Sequence, residues 1–258
     1  MNLLRHLEDN AAAGKKQLAI LIDPDKCHPK GIKELAMIAT ETKTDYFFVG
    51  GSLLTRDNMD ECIAQIRKHC NIPVLLFPGS MLQVTDQADA ILLLSLISGR
   101  NADMLIGNHV VAAPLIRHSK LEVIPTGYML IESGKITSVL YMSNTIPIPF
   151  DKVDIGVCTA MAGEMLGLRT IYMDAGSGAI YPIPTEMIRA VKQNISVPLI
   201  IGGGVRTAED AAEIWEGGAD VITVGNAAET HPEIIHEIAA AKHAINQRIN
   251  SNSIVQEP

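Results

Sequence analysis

The sequence has no CxxC pair and no Cys/His grouping at zinc spacing; its four cysteines, Cys27, Cys62, Cys70 and Cys158, stand apart. A chain of 258 residues needs no covalent staples, so these read as reduced cytosolic thiols rather than as a disulfide framework or a zinc site. Excess positive charge is also missing. A net charge of −8 leaves no overall field to draw the chain to nucleic acid or to an anionic membrane, so an anionic ligand needs a local site. No apolar run approaches the roughly 20 residues of a membrane span; the most apolar, AILLLSLI at 90–97, is far shorter. The opening MNLLRHLEDN carries Arg5, Glu8 and Asp9 where a signal peptide needs its apolar stretch, and the expectation is a cytoplasmic protein. No stretch has the composition of an interdomain linker, and no short-period repeat stands out.

What is present is a large apolar inventory, 47% hydrophobic residues against 19% charged, which points to one compact domain over 1–258. Apolar runs of strand length recur, each followed by glycine, proline or polar residues and then by a helix-like segment. They are LAILI (18–22), YFFVG (46–50), VLLF (74–77), AILLL (90–94), LEVIPT (121–126), TIYM (170–173), VPLII (197–201) and DVITV (220–224). Alternation of this kind signals βα units around a parallel sheet, and eight of them fit an α/β fold of the closed (β/α)8 TIM-barrel type, which runs to about 250 residues. The long interval 127–156 between the fifth and sixth runs reads as an inserted hairpin on a barrel loop. Residues 3–13 read as a helix closing the barrel floor, and 246–258 as a frayed tail.

In such a barrel the chemistry sits at the C-terminal ends of the strands, so the residues just past each run are the candidates. The first run stops at Asp23, Pro24, Asp25 and Lys26. A carboxylate beside a ladder-breaking proline can hold a hard cation such as Mg2+, and a turn or N-cap acid is the alternative. After the second run, Gly50 and Gly51 permit close backbone approach and Ser52 offers a hydroxyl. After the sixth comes YMDAGSGA at 172–179, where glycine amides can bind an anion and Asp174 can deprotonate or hydrogen-bond a substrate hydroxyl. GGGVRTAED (202–210) and GNAAE (225–229) after the last two runs have the form of the recurrent barrel phosphate cradle. Part of the first is helix capping, with Thr207 as N-cap and Asp210 as its third-position acid. His109 faces a substrate or serves structure, Arg206 approaches the phosphate or faces solvent, and Trp215 packs. These residues describe a magnesium-dependent enzyme acting on a small phosphorylated compound, and they do not name its second substrate.

Taken in order, IDPDK, FFVGGS, EVIPTGYML, NTIPIP, YMDAGSGA, IIGGGVRT and ITVGNAAE resemble the geranylgeranylglyceryl phosphate synthase family, with the bacterial heptaprenylglyceryl phosphate synthases as relatives, over roughly residues 17–240. The resemblance implies a prenyltransferase that joins the C3 hydroxyl of sn-glycerol 1-phosphate to a long-chain prenyl diphosphate, releasing diphosphate and making an ether lipid. It further implies that Asp23 and Ser52 ligate Mg2+, that Tyr172, Asp174, Ala175, Gly176, Ser177 and Gly178 hold the glycerol phosphate, and that Gly203, Gly204, Gly225 and Asn226 cradle its phosphate. Asp174 is then the candidate catalytic base, or the group that orients the hydroxyl; the family more often carries glutamate there, one methylene longer. Some bacterial relatives place a lysine two residues before the metal aspartate, where this chain has Leu21. The LIDPDK form resembles the geranylgeranyl-using branch, which favours a twenty-carbon over a thirty-five-carbon donor. The family also tends to assemble, so a homo-oligomer is expected.

Two rival readings stand beside it: another phosphate-binding barrel enzyme, and a prenyl-lipid carrier without turnover. The absence of a DDxxD motif sets aside the all-helical chain-elongating prenyltransferases.

Overall fold

The computed structural model describes residues 2–26, 28–56 and 58–254. Eight parallel strands close into a barrel in sequence order: β1 Gln17–Ile22, β2 Tyr46–Val49, β3 Val74–Leu76, β4 Ala90–Leu96, β5 Glu122–Leu130, β6 Thr170–Asp174, β7 Leu199–Gly202 and β8 Val221–Val224. The helices are α1 Leu3–Ala12, α2 Pro29–Glu41, α3 Met59–His69, α4 Asn108–His118, α5 Ser138–Ser143, α6 Val153–Met165, α7 Thr185–Asn194, α8 Ala208–Glu216, α9 Asn226–Thr230 and α10 Ile234–Ile254. Among the described residues no helix is long and apolar enough to cross a membrane.

The apolar runs are continuous rather than alternating because both strand faces are buried. Ile20, Ile22, Phe47, Val49, Ile222 and Val224 pack outward against the helices. Ala19, Tyr46, Phe48, Tyr128, Tyr172 and Val221 fill the barrel interior. The floor is closed as expected: Leu3 and Leu7 of α1 join that interior cluster. The Glu122 carboxylate accepts from the amides of Leu3 and Leu4 at 2.7 and 2.8 Å, satisfying donors that the first helical turn leaves open. Above α1, Asn10 and Tyr46 both donate to Gln17 Oε1, at 2.9 and 2.6 Å.

Two sequence expectations are corrected. Interval 127–156 holds no hairpin: β5 runs on through Gly127 to Leu130, Ile131 makes a single parallel bridge to Ile148, and α5 lies between. Gly127 looked like a strand end, but it is glycine for packing, since a Cβ there would meet Ile171 Cδ1 at 2.8 Å and Ile97 Cδ1 at 2.9 Å. The tail from 246 is helical as far as Ile254, because α10 packs along α8 and anchors Lys242 Nζ on Asp45 Oδ2 at 2.7 Å; residues 255–258 lie outside those described. Of the cysteines, Cys70 and Cys158 are free thiols, Cys62 is buried, and Cys27 lies outside the described residues. Trp215 is buried as expected, and Thr207 and Asp210 form a full capping box at α8.

The buried Asp220 carboxylate holds β7 to α7, accepting from Lys192 Nζ at 2.6 Å and from the Leu199 amide at 2.8 Å. Removing it strands an ammonium and an amide, so Asp220→Ala is expected to cost about 3 kcal/mol, read from the urea midpoint. A loss under about 1 kcal/mol would mean that the pair behaves as an exposed one.

Candidate active site

The strand tips of β1, β2, β6, β7 and β8 surround a cavity of about 880 Å³. Interior-facing positions alternate along each strand, so Leu21 in β1 and Tyr172 in β6 put the next inward positions, Asp23 and Asp174, at the rim. Both line the cavity, as do Ser52, Gly176, Ser177, Gly178, Gly203, Gly204, Gly225 and Asn226. Ala175 does not. Its amide completes the ladder to the Gly202 carbonyl at 3.0 Å, and its side chain is buried in the outer core.

The Asp23 carboxylate makes a turn bond and an ion pair. Its Oδ1 accepts from the Asp25 amide at 3.1 Å, a turn bond, while Oδ2 lies 3.0 Å from the Lys26 ammonium. Glu229, from α9, accepts from the Asp23 amide at 3.1 Å and lies 3.9 Å from Lys26. Burial pushes the Glu229 carboxyl above its ordinary range, against the pull of the Asp23 amide and of Lys26. Loop two is pressed against this group: a Cβ on Gly51 would sit 3.5 Å from Asp23 Oδ1, and one on Gly50 would lie 2.1 Å from the Phe77 carbonyl oxygen. Gln83 clamps the loop from outside, with Nε2 donating to the Gly51 carbonyl at 2.7 Å and Oε1 accepting from the amides of Gly51 and Gly79.

Loops six and seven touch. Gly203 has φ +81, and a Cβ there would lie 2.7 Å from the Gly176 amide nitrogen and 2.9 Å from Asp174 Oδ1. Only glycine tolerates both the left-handed backbone and that approach. Ser177 Oγ donates to Asn226 Oδ1 at 3.0 Å, joining loop six to the start of α9, whose first amides have no partner within the helix. The result is a concave set of backbone donors fit for a small anion. Arg206 donates to the Ala179 carbonyl, a support for the loop.

Asp174 is the most constrained group. Tyr128 donates to Oδ2 at 2.5 Å and the Gly176 amide to Oδ1 at 2.7 Å. Burial raises its carboxyl above the ordinary range, and those two bonds oppose the rise. Tyr128 was missed by the sequence reading because it follows the apparent strand end at Gly127. With Phe77 and Tyr172 it forms a cluster with ring centroids 5.0 to 5.9 Å apart on the cavity floor. Gln83 and Phe77 were missed as well, and Glu229, inside GNAAE, was given no role of its own; Phe77, at the end of the third apolar run, and Glu229, just past the eighth, carried a positional signal, and Gln83 carried none.

A second cavity, narrow and apolar, runs off sideways between β4 and α4. Leu94, Leu96, Met104, Ala112, Ile116 and Met142 line it, and Met104 lies in a wide π turn, Asp103–Gly107, that leads into α4. Gly51, Ser52, Phe77, Tyr128 and Val139 belong to both cavities. His109 is on its wall, with Nε2 held 2.8 Å from the Leu94 carbonyl oxygen.

Residues 12–242 match the PcrB family. The chain belongs to that family. Among curated members it is similar to the geranylgeranylglyceryl phosphate synthase of Chitinophaga pinensis, 54% identical over 236 residues that cover 92% of this chain and 94% of that one. The protein of the same name from Korarchaeum cryptofilum is 40% identical over 90% of this chain and 96% of its own. The crystal structure of (S)-3-O-geranylgeranylglyceryl phosphate synthase from Thermoplasma acidophilum, in complex with substrate sn-glycerol-1-phosphate, matches with a TM-score of 0.88 at 33% identity, over 93% of this chain and 98% of that one. Tryptophan synthase subunit alpha from Legionella pneumophila, at 15% identity and a TM-score of 0.55, shares the fold alone with this PcrB-family chain.

The raised Asp174 carboxyl has a consequence for stability. A folded-state value above the unfolded one makes ionisation unfavourable to the fold, so its contribution is present at low pH and lost as pH rises through the folded-state value. Asp174→Asn, which cannot ionise, is therefore expected to be at least as stable as the parent at pH 7, with its relative advantage shrinking toward pH 4. Urea midpoints across that range check it; marked destabilisation at pH 7 contradicts it.

Proposed function

We propose that the chain is a phosphoglycerol prenyltransferase that makes an ether between the C3 hydroxyl of sn-glycerol 1-phosphate and geranylgeranyl diphosphate. The observation that carries this reading is the shared wall of the two cavities. A polar cradle suited to a phosphate and an apolar groove suited to a hydrocarbon chain meet at Ser52, Phe77 and Tyr128, beside Asp174. A reaction between a phosphorylated alcohol and a long allylic chain needs such a junction. The relatives' names and the glycerol phosphate complex of the Thermoplasma enzyme support the same two substrates.

In this reading the amides of Gly203, Gly204, Gly225 and Asn226 and the turn Gly176–Ser177–Gly178 hold the phosphate. The C3 hydroxyl then reaches the floor, where Asp174 takes its proton. Its raised carboxyl favours that role, since basicity grows as the value approaches the working pH. Tyr128 and Gly176 keep the carboxylate from rotating away. The C3 oxygen forms its bond to the allylic carbon while the bond from that carbon to the diphosphate oxygen breaks.

The donors near the departing diphosphate fit Mg2+. They are oxygens, Asp23 and Ser52, without histidine or cysteine, and among the described residues no cluster of three acids or histidines could cage a metal. A site with few protein ligands suits an ion that keeps several waters and binds substrate phosphates. Asp23 and Ser52 would hold it, and when bound it neutralises charge on the leaving diphosphate. The Lys26 ammonium, 3.0 Å from Asp23, adds a second positive charge at the same rim. Assembly into a homo-oligomer in the cytoplasm belongs to the same reading; the exposed apolar side chains of Val110, Val111 and Leu115 on α4 support a partner copy there.

The test is a product assay with labelled sn-glycerol 1-phosphate and geranylgeranyl diphosphate, run with Mg2+ and with chelator. A magnesium-dependent ether product is expected, and no product from any prenyl donor would overturn the proposal. Asp23→Ala is expected to abolish the magnesium-dependent turnover with the far-UV spectrum unchanged; full activity would remove Asp23 as the metal ligand. Asp174→Asn is expected to lower kcat by about 100-fold with a smaller change in KM, and unchanged kcat would remove it as the base.

A further inference from the structure

Loop five, residues 131–137, brings an ammonium to the phosphate cradle from outside the set of loops that form it. A Cβ on Gly178, where φ is +70, would lie 2.9 Å from Lys135 Nζ and 3.8 Å from Asn226 Nδ2, so the ammonium rests on the turn of loop six beside the first residue of α9. Three other lysines that cross between elements end on an acceptor: Lys192 on Asp220 at 2.6 Å, Lys242 on Asp45 at 2.7 Å, and Lys16 on the Ala219 carbonyl at 2.8 Å. Among the described residues Lys135 ends on none. Beneath it lies a turn whose amides present the positive ends of their dipoles, an arrangement that becomes favourable once an anion lies between them.

The backbone on either side holds Lys135 there. Ser133 is buried, and its carbonyl accepts from the amides of Ile180 at 3.0 Å and Tyr181 at 3.3 Å. The Tyr181 ring covers Gly134, where φ is +84 and a Cβ would meet Cε2 at 2.8 Å. Past the lysine, buried Thr137 packs on Gly176, with Oγ1 2.6 Å from where a Cβ would be. Loop five is thus seated on loop six at two points with Lys135 between them, and it leads directly into α5. That helix is a wall of the apolar groove: Val139 lines both cavities, and Met142 and Ser143 line the groove. It has six residues and no side-chain cap at Thr137, so little of its order is its own. Its far end is held by Asn101, whose Nδ2 donates to the Ser143 carbonyl at 2.8 Å.

We propose that Lys135 closes on the phosphate of the bound acceptor, and that this contact fixes loop five and α5, so that the acceptor readies the groove for the prenyl chain. The inference rests on the proposed function for the identity of the two substrates. Lys135 stands four residues before Val139, so an ammonium held on the phosphate ties the start of α5 to loop six through the ligand. A wall already ordered by one ligand costs the second less to bind. The effect is mutual, and the donor tightens the acceptor by the same factor.

Hydrogen exchange of the amides of residues 139–143 and calorimetric affinities would be measured in Mg2+ buffer for the parent, Lys135→Met and Lys135→Arg, with sn-glycerol 1-phosphate and an unreactive thiolo analogue of geranylgeranyl diphosphate. In the parent, sn-glycerol 1-phosphate is expected to slow exchange in α5 and to tighten the analogue about 5-fold or more. Lys135→Met is expected to bind sn-glycerol 1-phosphate about 10-fold more weakly and, even when saturated with it, to keep α5 exchange and analogue affinity within about 2-fold of the unliganded values. Arginine keeps the charge and the parent pattern. Unchanged acceptor affinity in Lys135→Met, α5 protection that survives loss of the ammonium, or a parent whose analogue affinity ignores the acceptor overturns the inference. If the analogue fails to bind the parent while the slowed exchange still depends on Lys135, the proposed donor is overturned and the Lys135 contact stands.

Discussion

A carboxylate enclosed by a barrel wall is costly unless every oxygen is satisfied, and the mouth of this barrel is arranged around satisfying one. Asp174 draws Tyr128 in from β5 and the Gly176 amide from its own loop, at 2.5 and 2.7 Å. Meeting those bonds requires β5 to extend to Leu130, Gly203 to stay without a side chain, and loop six to turn back toward β7. The glycine-rich loops six and seven, the aromatic floor and the entry to the apolar groove all border this one group.

The charge distribution follows the same logic. An anionic chain must hold two anionic substrates, and it does so with local devices instead of a broad positive field. On one side the donors are backbone amides, neutral and fixed in direction. On the other, the Asp23 carboxylate and the Lys26 ammonium meet at the tip of β1, with Glu229 closing the group from α9. In the proposed reading, fixed dipoles on one side of the junction and the Lys26 ammonium with a bound Mg2+ on the other would separate an acceptor that stays from a diphosphate that leaves.

Much of this was legible in the sequence because a barrel translates position along a strand into position in space. Asp23, Gly203 and Asn226 could be placed at one rim solely by being just past apolar runs, and all three line the cavity. The reading failed where residues act by packing. Gly127 suggested a stop because glycine usually disfavours strands, whereas here it makes room for Ile97 and Ile171, and the misplaced end hid Tyr128. Gln83 lies in an unremarkable segment and acts through two bonds to the Gly51 backbone. Glu229 was part of the quoted GNAAE segment, but its contact with the Asp23 amide closes the barrel from β8 to β1, a neighbour relation that strand order supplies and spacing does not.

The most direct measurement is a structure of the chain with sn-glycerol 1-phosphate and an unreactive thiolo analogue of geranylgeranyl diphosphate bound together. The account predicts the phosphate on the loops that begin at Gly203 and Gly225, the hydrocarbon in the groove beside Met104 and Ala112, and the C3 oxygen between Asp174 and the allylic carbon, about 3.5 Å from the latter. A hydrocarbon chain lying elsewhere, or a C3 oxygen out of reach of Asp174, would contradict it.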